Sequence, residues 1–377
     1  MNREGLADPA LLERLVADFD RDGFCVVPSV LDAAQVRAMR EAVLAEQRDY
    51  PLHWRLLGQS RDGGPVGEHG RWQSGKTMHV TDVFDPLVAH PAVLSLVRRL
   101  VGDDCCLTHG AYAGVRDEPA DAAPPLGAPW PEGADSVAPW PESDGGILWQ
   151  MWHREQGGLF APHHPRCITS LQCRFQFDDT GPNTTCISAV PESVAEKRAL
   201  EWTPLLMEDG APHPELAQIT EPFIVDMWRN RSRGSMHLPR PGVDIAARAG
   251  DCIVVANTSI HSGTVRAGSS KRVDLRIDYG HKGLTTAPIG ERVGDMSSSE
   301  SEDVLRSWNY LRIPTRLAAA HPELIDTLPP PRLAKVQPGK PKVAPGGGGI
   351  NSDAVLGTVP AGTCTPPPGP SAAAPRL

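Results

Sequence analysis

The sequence predicts a mainly β domain made of two packed sheets, with helices flanking it on the N-terminal side. The first observation is the strict alternation of apolar and polar residues over 171–177 and 271–279, which is typical of strands with two different faces. The second is the regular recurrence of Gly, Pro and Asp turns between short apolar runs. The third is that helical periodicity is clearest in the first hundred residues.

The size and charge of the chain narrow the classes of protein to consider. Its 377 residues, 40% of them hydrophobic, suffice for one large β domain with helical additions, or for two small domains. A net charge of -9 disfavours nucleic acid and anionic membranes as partners. No run approaches the ~18 apolar residues of a membrane span.

Cysteine usage and the N-terminus predict the compartment. The eight cysteines contain no Cys-x-x-Cys pair and several lie in predicted strands, so we expect buried, reduced thiols. The first residues lead into an amphipathic helix and not into an apolar signal core. Both observations favour a soluble protein of the cytoplasm.

The first elements along the chain are helices around one strand. Apolar spacing predicts helices over 11–19, 33–48 and 91–101. Residues 24–28 form a short buried strand that ends at a proline. Asp32 and Gln35 make a capping box at the start of the second helix, and Gly102 ends the third.

Strands dominate the remainder of the chain. Short apolar runs predict strands over 107–115, 171–177, 186–190, 223–228, 252–256 and 271–279. Residues 194–220 are polar and predicted to be partly helical, and a last helix is expected over 307–320.

Two stretches depart from this pattern. Residues 116–146 contain Pro-Trp-Pro-Glu twice, at 129–132 and 139–142, and proline at this density excludes a helix or a central strand. A long loop of this kind indicates either a lid over a functional site or an irregular linker. Residues 328–377 are rich in Pro, Gly and Ala and predict a disordered tail, so the folded domain is expected over 1–327.

The candidate metal ligands stand at the ends of two apolar runs. His153 and Glu155 are two residues apart, and His261 follows another run far downstream. Two imidazoles and one carboxylate form the ligand set of a mononuclear non-haem iron site with open positions for a cosubstrate and oxygen. Zinc is the competing metal for such a set.

Four motifs surround these residues in a fixed order: Asp22–Pro28, Trp152–Glu155, Asp178–Pro182 leading to Val190-Pro191, and Gly250–Gly263 followed by Arg272. Together they resemble the phytanoyl-CoA dioxygenase family, a branch of the Fe(II)/2-oxoglutarate-dependent oxygenases. The similarity spans roughly residues 20–282. It implies a double-stranded β-helix, or jelly roll, that holds iron between its two sheets.

The resemblance also implies roles for individual residues. His153, Glu155 and His261 would bind Fe(II), with O2 at a remaining position. Arg272 would pair with the far carboxylate of 2-oxoglutarate, because a guanidinium makes a two-pronged bond that the neighbouring Lys271 cannot. The implied reaction is a 2-oxoglutarate-dependent hydroxylation of a small organic molecule, with desaturation, epimerisation and ring formation left open.

The sequence departs from the family pattern at several motif positions. Glu155 replaces the usual Asp, Thr184-Thr185 stands where the family commonly has Asn-Gly, and Glu192-Ser193-Val194 where it commonly has Gly-Ser-His. Arg174 occupies a position that is often Trp. Because the extra methylene of Glu155 displaces its carboxylate, an alternative hypothesis is a non-catalytic jelly-roll protein that binds a ligand at a degenerate iron site.

The polar faces of two predicted strands indicate the chemical class of the substrate. If Arg272 lies between the sheets, strand alternation places further side chains beside it: Gln172, Arg174, Gln176, Asp274 and Arg276. Arg174 and Arg276 would then favour a polar or anionic substrate. Alternatively, these side chains lie in water at the mouth of the barrel or pair with Asp274.

Overall fold

The computed structural model describes a defined part of the chain: residues 8–56, 70–74, 77–108, 111–117, 147–149, 154, 159–181, 184–207, 209–219, 242–266, 271–282 and 313–326. Most of the insertion, the strand expected over 223–228 and the tail from 328 lie outside these ranges. The predictions for those segments therefore stay predictions.

Seven α-helices occur in the described ranges: α1 Pro9–Asp22, α2 Ala33–Asp49, α3 Thr77–Val80, α4 Asp85–Val88, α5 Pro91–Val101, α6 Val194–Arg198 and α7 Thr315–Ala320. The three predicted early helices are present as α1, α2 and α5. The capping box is formed as predicted, because the Asp32 side chain accepts from the Gln35 amide while the Gln35 side chain accepts from the Asp32 amide.

Fifteen strands are described: β1 Phe24–Val27, β2 Trp54–Leu56, β3 Gly70–Ser74, β4 Cys105–Leu107, β5 Tyr112–Asp117, β6 Ile147–Trp149, β7 Leu159–Phe160, β8 Ser170–Gln176, β9 Cys186–Ala189, β10 Trp202–Leu206, β11 Pro212–Ile219, β12 Val243–Asp244, β13 Cys252–Ala256, β14 His261–Arg266 and β15 Arg272–His281. Short 3-10 turns cover Pro51–His53 and Pro322–Leu324.

The larger sheet is antiparallel and has the order β1-β13-β8-β15-β5-β3-β2, with β4 also paired to β15. Its middle strand is β15, and the neighbouring β8 lies between β13 and β15. In this register Arg174 stands opposite Arg276, and Gln176 opposite Asp274. Side chains of adjacent central strands therefore form continuous rows across the sheet.

A second sheet, of order β12-β9-β14-β6, packs against the first. Ile187 and Ala189 of this sheet contact Ile253 and Val255 of the larger one in a buried apolar cluster. A third sheet has the order β10-β11-β7. Two packed antiparallel sheets with helices at the N-terminal side confirm the predicted mainly β jelly-roll class.

The outer face of the larger sheet is covered by the N-terminal helices. Leu171, Cys173 and Phe175 of β8 belong to one buried cluster with Phe19 of α1 and Leu96 of α5. The alternate residues of β8 therefore face the second sheet, as the period of two predicts.

Two predicted elements are divided or shortened in the structure. The strand expected over 107–115 is two strands, β4 and β5, and both pair with β15 at different points along its length. The helix expected over 307–320 is described from Thr315, directly after Pro314. Residues 307–312 lie outside the described ranges.

The partly helical character predicted for 194–220 is confirmed at α6. The described remainder contains a hairpin that was not predicted, in which Trp202 of β10 stands opposite Ile219 of β11. Prolines at 204, 212 and 214 disfavour a strand in sequence terms. They are accommodated because β10 is an edge strand and β7 pairs with β11 only at Ala217 and Gln218.

The cysteines follow the prediction where the structure describes them. The seven of the described residues are buried and form no disulfide bond. Burial raises the pKa of the Cys25 and Cys173 thiols well above the ordinary value, so both are protonated at neutral pH. No helix in the described part of the chain combines the length and apolar character needed to cross a membrane.

Candidate active site

His261 begins β14 and lies between the two sheets, with 1% of its surface exposed. Its Nδ1 is 2.9 Å from the Ser259 carbonyl oxygen, and its Nε2 is 2.9 Å from the Gln172 amide nitrogen. Because a carbonyl only accepts, Nδ1 carries the proton and Nε2 is the acceptor of the ring. That is the tautomer of a metal-binding histidine whose second nitrogen is held by the backbone.

Gln172 is itself oriented by a neighbour on the same strand. The Arg174 Nε donates to Gln172 Oε1 at 3.0 Å, which identifies the other end of the amide as the donor toward His261. Gln176, the third member of this face, donates from Nε2 to the Arg174 carbonyl at 3.2 Å. All three predicted residues of β8 are therefore buried in the interior.

His153 and Glu155 lie outside the described residues, but the chain on either side of His153 is described in part. β6 ends four residues before His153 and pairs with β14, the strand that begins at His261. Arg154, between the two predicted ligands, donates to the Thr258 carbonyl, three residues before His261. The described neighbours of both ligand segments are thus close together, although they are far apart in sequence.

Arg272 is the first residue of β15 and is 2% exposed. Its Nη2 donates to Asp274 Oδ2 at 2.8 Å, whereas Nε and Nη1 are buried without a hydrogen-bond partner among the described residues. A buried guanidinium nitrogen with no acceptor costs about 1–3 kcal/mol or more. Either of these donors could bind an oxygen of a ligand carboxylate that enters the interior.

Asp274 is the carboxylate around which the arginines gather. Burial by itself would raise its pKa, but the charges of Arg272, Arg174 and Arg116 outweigh burial and lower it from 3.8 to about 2. The carboxylate lies over Gly114 of β5, where an added Cβ would come within 2.4 Å of Asp274 Oδ1. Glycine at 114 therefore leaves the room that the carboxylate occupies.

A second ion pair lines the same face. Arg276 donates from Nε to Asp278 Oδ1 at 2.6 Å and pairs with the other carboxylate oxygen through Nη2. The Tyr112 ring lies 4.8 Å from the centre of the Arg276 guanidinium, within the range of a cation–π contact. Arg276 and Arg174 stand opposite each other on adjacent strands. Arg174 pairs with Asp274, as the alternative interpretation proposed, whereas Arg276 pairs with Asp278, which that interpretation did not name.

The charges in this interior do not cancel among the described side chains. Four guanidiniums face two carboxylates: Arg116, Arg174, Arg272 and Arg276 against Asp274 and Asp278. Burial lowers the pKa of Arg116 to about 10, so it stays protonated at neutral pH. The described interior therefore carries a net positive charge and can receive anions.

Sequence reasoning did not find Arg116, Glu192 and Lys197. The sequence pattern assigns Arg116 to the start of the insertion, whereas in the structure it belongs to β5 and stands opposite Arg272. Extending the strand alternation one residue beyond Val115 identifies it. Glu192 binds the Arg154 guanidinium 38 positions earlier, and no local sequence pattern reports that pairing. Lys197 looks like a surface residue of a short polar helix, yet it is 1% exposed.

Of the three predicted metal ligands, the structure describes only His261. Among the residues that the structure describes, no group of three His, Cys, Asp or Glu side chains could hold a metal ion. Two of the three predicted ligands lie outside that part of the chain, so the triad stays a prediction. His261, with Nε2 as its acceptor, fits the role assigned to it.

Comparisons with known proteins give one family match. The family model described as Phytanoyl-CoA dioxygenase (PhyH) matches residues 19–273, more than half of the chain. No curated protein matches.

Solved structures that resemble the chain at low sequence identity include the following three. The epimerase SnoN in complex with Fe3+, alpha ketoglutarate and nogalamycin RO is 21% identical over 78% of this chain and 92% of its own, with a TM-score of 0.46. The carbocyclase SnoK from nogalamycin biosynthesis is 18% identical over 76% and 90%, with a TM-score of 0.45. HygX from Streptomyces hygroscopicus, with nickel and 2-oxoglutarate bound, is 15% identical over 73% and 88%, with a TM-score of 0.44.

Proposed function

The chain belongs to the phytanoyl-CoA dioxygenase family and is a non-haem iron, 2-oxoglutarate-dependent enzyme, and from this premise we propose that it hydroxylates a small polar or anionic organic substrate. The observation that carries the proposal is the buried guanidinium of Arg272. Two of its donors have no acceptor among the described residues, in the same interior that holds His261.

Iron would be held by His153, Glu155 and His261. The state of His261 supports this assignment, because Nδ1 donates to the Ser259 carbonyl, and Nε2, which accepts from the Gln172 amide here, is the ring nitrogen that would bind a metal in place of that amide. With iron and 2-oxoglutarate bound, the centre supplies oxygen activation coupled to oxidative decarboxylation of the cosubstrate. The protein supplies binding, orientation and exclusion of water.

Arg272 would bind the far carboxylate of 2-oxoglutarate. Asp274 holds the guanidinium by Nη2 and thereby fixes its orientation before the cosubstrate arrives. A preorganised donor loses little conformational entropy on binding. The low pKa of Asp274 keeps this support ionised throughout the neutral range.

Arg174 and Arg276 would orient the substrate. Both side chains are buried in the interior and each is held by a carboxylate, so their positions are fixed. The excess of guanidiniums over carboxylates among the described side chains favours a substrate with a negative charge. Gln172 and Gln176 add amide groups to the same face, which suits a substrate with hydroxyl groups.

Anaerobic titration with Fe(II) and 2-oxoglutarate tests the site. A visible charge-transfer band in the wild type, lost in His261→Ala, would support it. No band in the wild type but a band in Glu155→Asp would overturn the proposal in favour of a degenerate, ligand-binding site.

The reaction type needs a second measurement. Incubation with sets of neutral and anionic candidate molecules, followed by mass spectrometry, should show gain of one oxygen atom in an anionic or hydroxylated compound. Turnover of neutral apolar compounds alone would contradict the proposed substrate class. Arg276→Gln should then weaken the response to the anionic compounds more than the response to neutral analogues.

A further inference from the structure

Arg154 makes a buried, two-pronged ion pair near the candidate site. Its Nη1 lies 2.7 Å from Glu192 Oε2 and its Nη2 lies 2.9 Å from Glu192 Oε1, with the side chains 1% and 8% exposed. Two parallel, charge-assisted hydrogen bonds fix both the distance and the plane of the guanidinium. Such a pair is a geometric constraint on the backbone of residue 154.

Glu192 is anchored independently of Arg154. Its backbone amide donates to the Asp22 carbonyl at 3.1 Å, at the end of α1. The next residue, Ser193, caps α6 and forms a capping box with Glu196. Glu192 is therefore a fixed point to which the segment containing Arg154 is attached.

Arg154 also reaches the turn that orients His261. It donates to the Thr258 carbonyl through Nη1, and the adjacent Ser259 carbonyl is the acceptor of His261 Nδ1. The Arg154 guanidinium thus binds Thr258, and the next residue, Ser259, orients the His261 ring.

The same turn is held from its other side. Lys197 Nζ donates to Ser259 Oγ at 2.8 Å, and Ser259 Oγ donates to the Gly23 carbonyl at 3.2 Å. A Cβ on Gly23 would come within 2.3 Å of Ser259 Oγ, so the packing tolerates no side chain there. The turn therefore has little room to shift. If residue 154 moved, the adjacent predicted ligands His153 and Glu155 would move relative to His261.

We propose, on the basis of the proposed function, that Arg154 and Glu192 are a positioning pair that sets the spacing between the His153–Glu155 segment and His261. Arg154 is covalently adjacent to both predicted ligands on one side. On its other side, Arg154 binds the Thr258 carbonyl, in the turn that orients the third predicted ligand, His261. The pair contributes to metal affinity by placing the ligands, without touching the metal.

Glu192→Gln is the first variant to measure. It keeps the size and one acceptor of the side chain but removes the charge and one prong of the bond. Loss of a group that orients metal ligands typically weakens metal binding by about 10–100-fold. Anaerobic calorimetry with Fe(II) alone should show this weakening, and the Fe(II)–2-oxoglutarate band should need correspondingly more Fe(II).

Two further variants separate positioning from folding. Glu46→Gln is the matched control, because Glu46 is also a buried carboxylate, but it belongs to α2 and accepts from Ser74 of β3 at 2.7 Å. The Glu46→Gln variant should bind Fe(II) like the wild type. Arg154→Met/Glu192→Met removes both charges together, which is often tolerated where removal of one is not. This double variant should fold and still bind Fe(II) about 10–100-fold more weakly.

The outcomes distinguish this inference from the proposed function. A wild type that binds neither Fe(II) nor 2-oxoglutarate would overturn both. A wild type with the expected band, beside a folded Glu192→Gln or double variant with unchanged Fe(II) affinity, would overturn only the positioning role. Equal weakening in Glu46→Gln would also overturn it, since the effect would then be general destabilisation.

Discussion

Asp274 controls the electrostatics of the interior at the scale of single residues. It is the shared partner of Arg272 and Arg174, and it lies close to Arg116. Removing one member of a buried charged group leaves the others uncompensated, which typically costs about 3–5 kcal/mol. Asp274→Asn should therefore lower the free energy of unfolding by about 3–5 kcal/mol in urea titrations at pH 7.

Asp274 also predicts that the protein loses stability in acid. Because the pKa of Asp274 is lowered in the folded protein, its stabilisation is present above pH 3.8 and is lost as pH falls toward about 2. The shift corresponds to about 2 kcal/mol. Unfolding measured between pH 5 and pH 2 should show this loss in wild type and not in Asp274→Asn; parallel curves for the two proteins would refute the assignment.

Lys197 predicts a second rise of stability with pH, this time in the alkaline range. Burial lowers its pKa from 10.5 to about 8, an effect that the charge of Glu192 reduces but does not cancel. Between these values the unfolded chain binds a proton that the folded chain has released, so stability rises with pH. Relative to Lys197→Met, the wild type should gain about 3 kcal/mol from pH 8 to pH 10.5. A constant difference between the two proteins would show that Lys197 is charged over the whole range.

At the scale of elements, the close approach of β5 and β15 depends on Gly114. Because an added methyl would meet the Asp274 carboxylate at 2.4 Å, Gly114→Ala should displace it and cost about 1–3 kcal/mol. Gly181→Ala is a suitable control, since the nearest described atom outside the adjacent residues would lie 3.3 Å from its methyl, at Ala246. Thermal unfolding of both variants should separate them; equal melting temperatures would contradict the steric account.

Strands with one apolar and one polar face were the elements that the sequence predicted best. In β8 and β15 every second residue packs on the helices, and this period alone places Gln172, Arg174 and Arg276 in the interior. The hairpin of β10 and β11 was not predictable, because its prolines contradict the local preference and its strands form through pairing with each other and with β7.

For the candidate site, some of the residues could be identified from the sequence, but the side chains that they contact could not. His261 and Arg272 could be selected from motif spacing, and both lie buried in one interior. The bond of Arg154 to Glu192, and the donors of Arg272 that lack an acceptor among the described residues, depend on three-dimensional contacts between distant positions. No local propensity encodes such contacts, because each residue alone is compatible with a solvated surface.

At the scale of the whole molecule, cosubstrate binding should raise stability through linkage. A ligand that binds only the folded state at ~100 times its Kd adds about 2.7 kcal/mol. In the presence of Fe(II), 2-oxoglutarate should raise the melting temperature of the wild type and of Lys271→Met, a control at the neighbouring cation. Arg272→Met should lose most of this gain in differential scanning fluorimetry; an unchanged gain would place the cosubstrate elsewhere.

The pairing of β1 with β13 has a consequence for the order in which the protein assembles. Phe24 stands opposite Val255, and β5 likewise pairs with β15 across more than 150 residues of chain. Contacts of such long sequence separation close late and slow folding. During synthesis on the ribosome, the apolar side of α1 and β1 therefore emerges long before its partner strands, and the nascent chain must keep that surface from aggregating until β13 has left the exit tunnel.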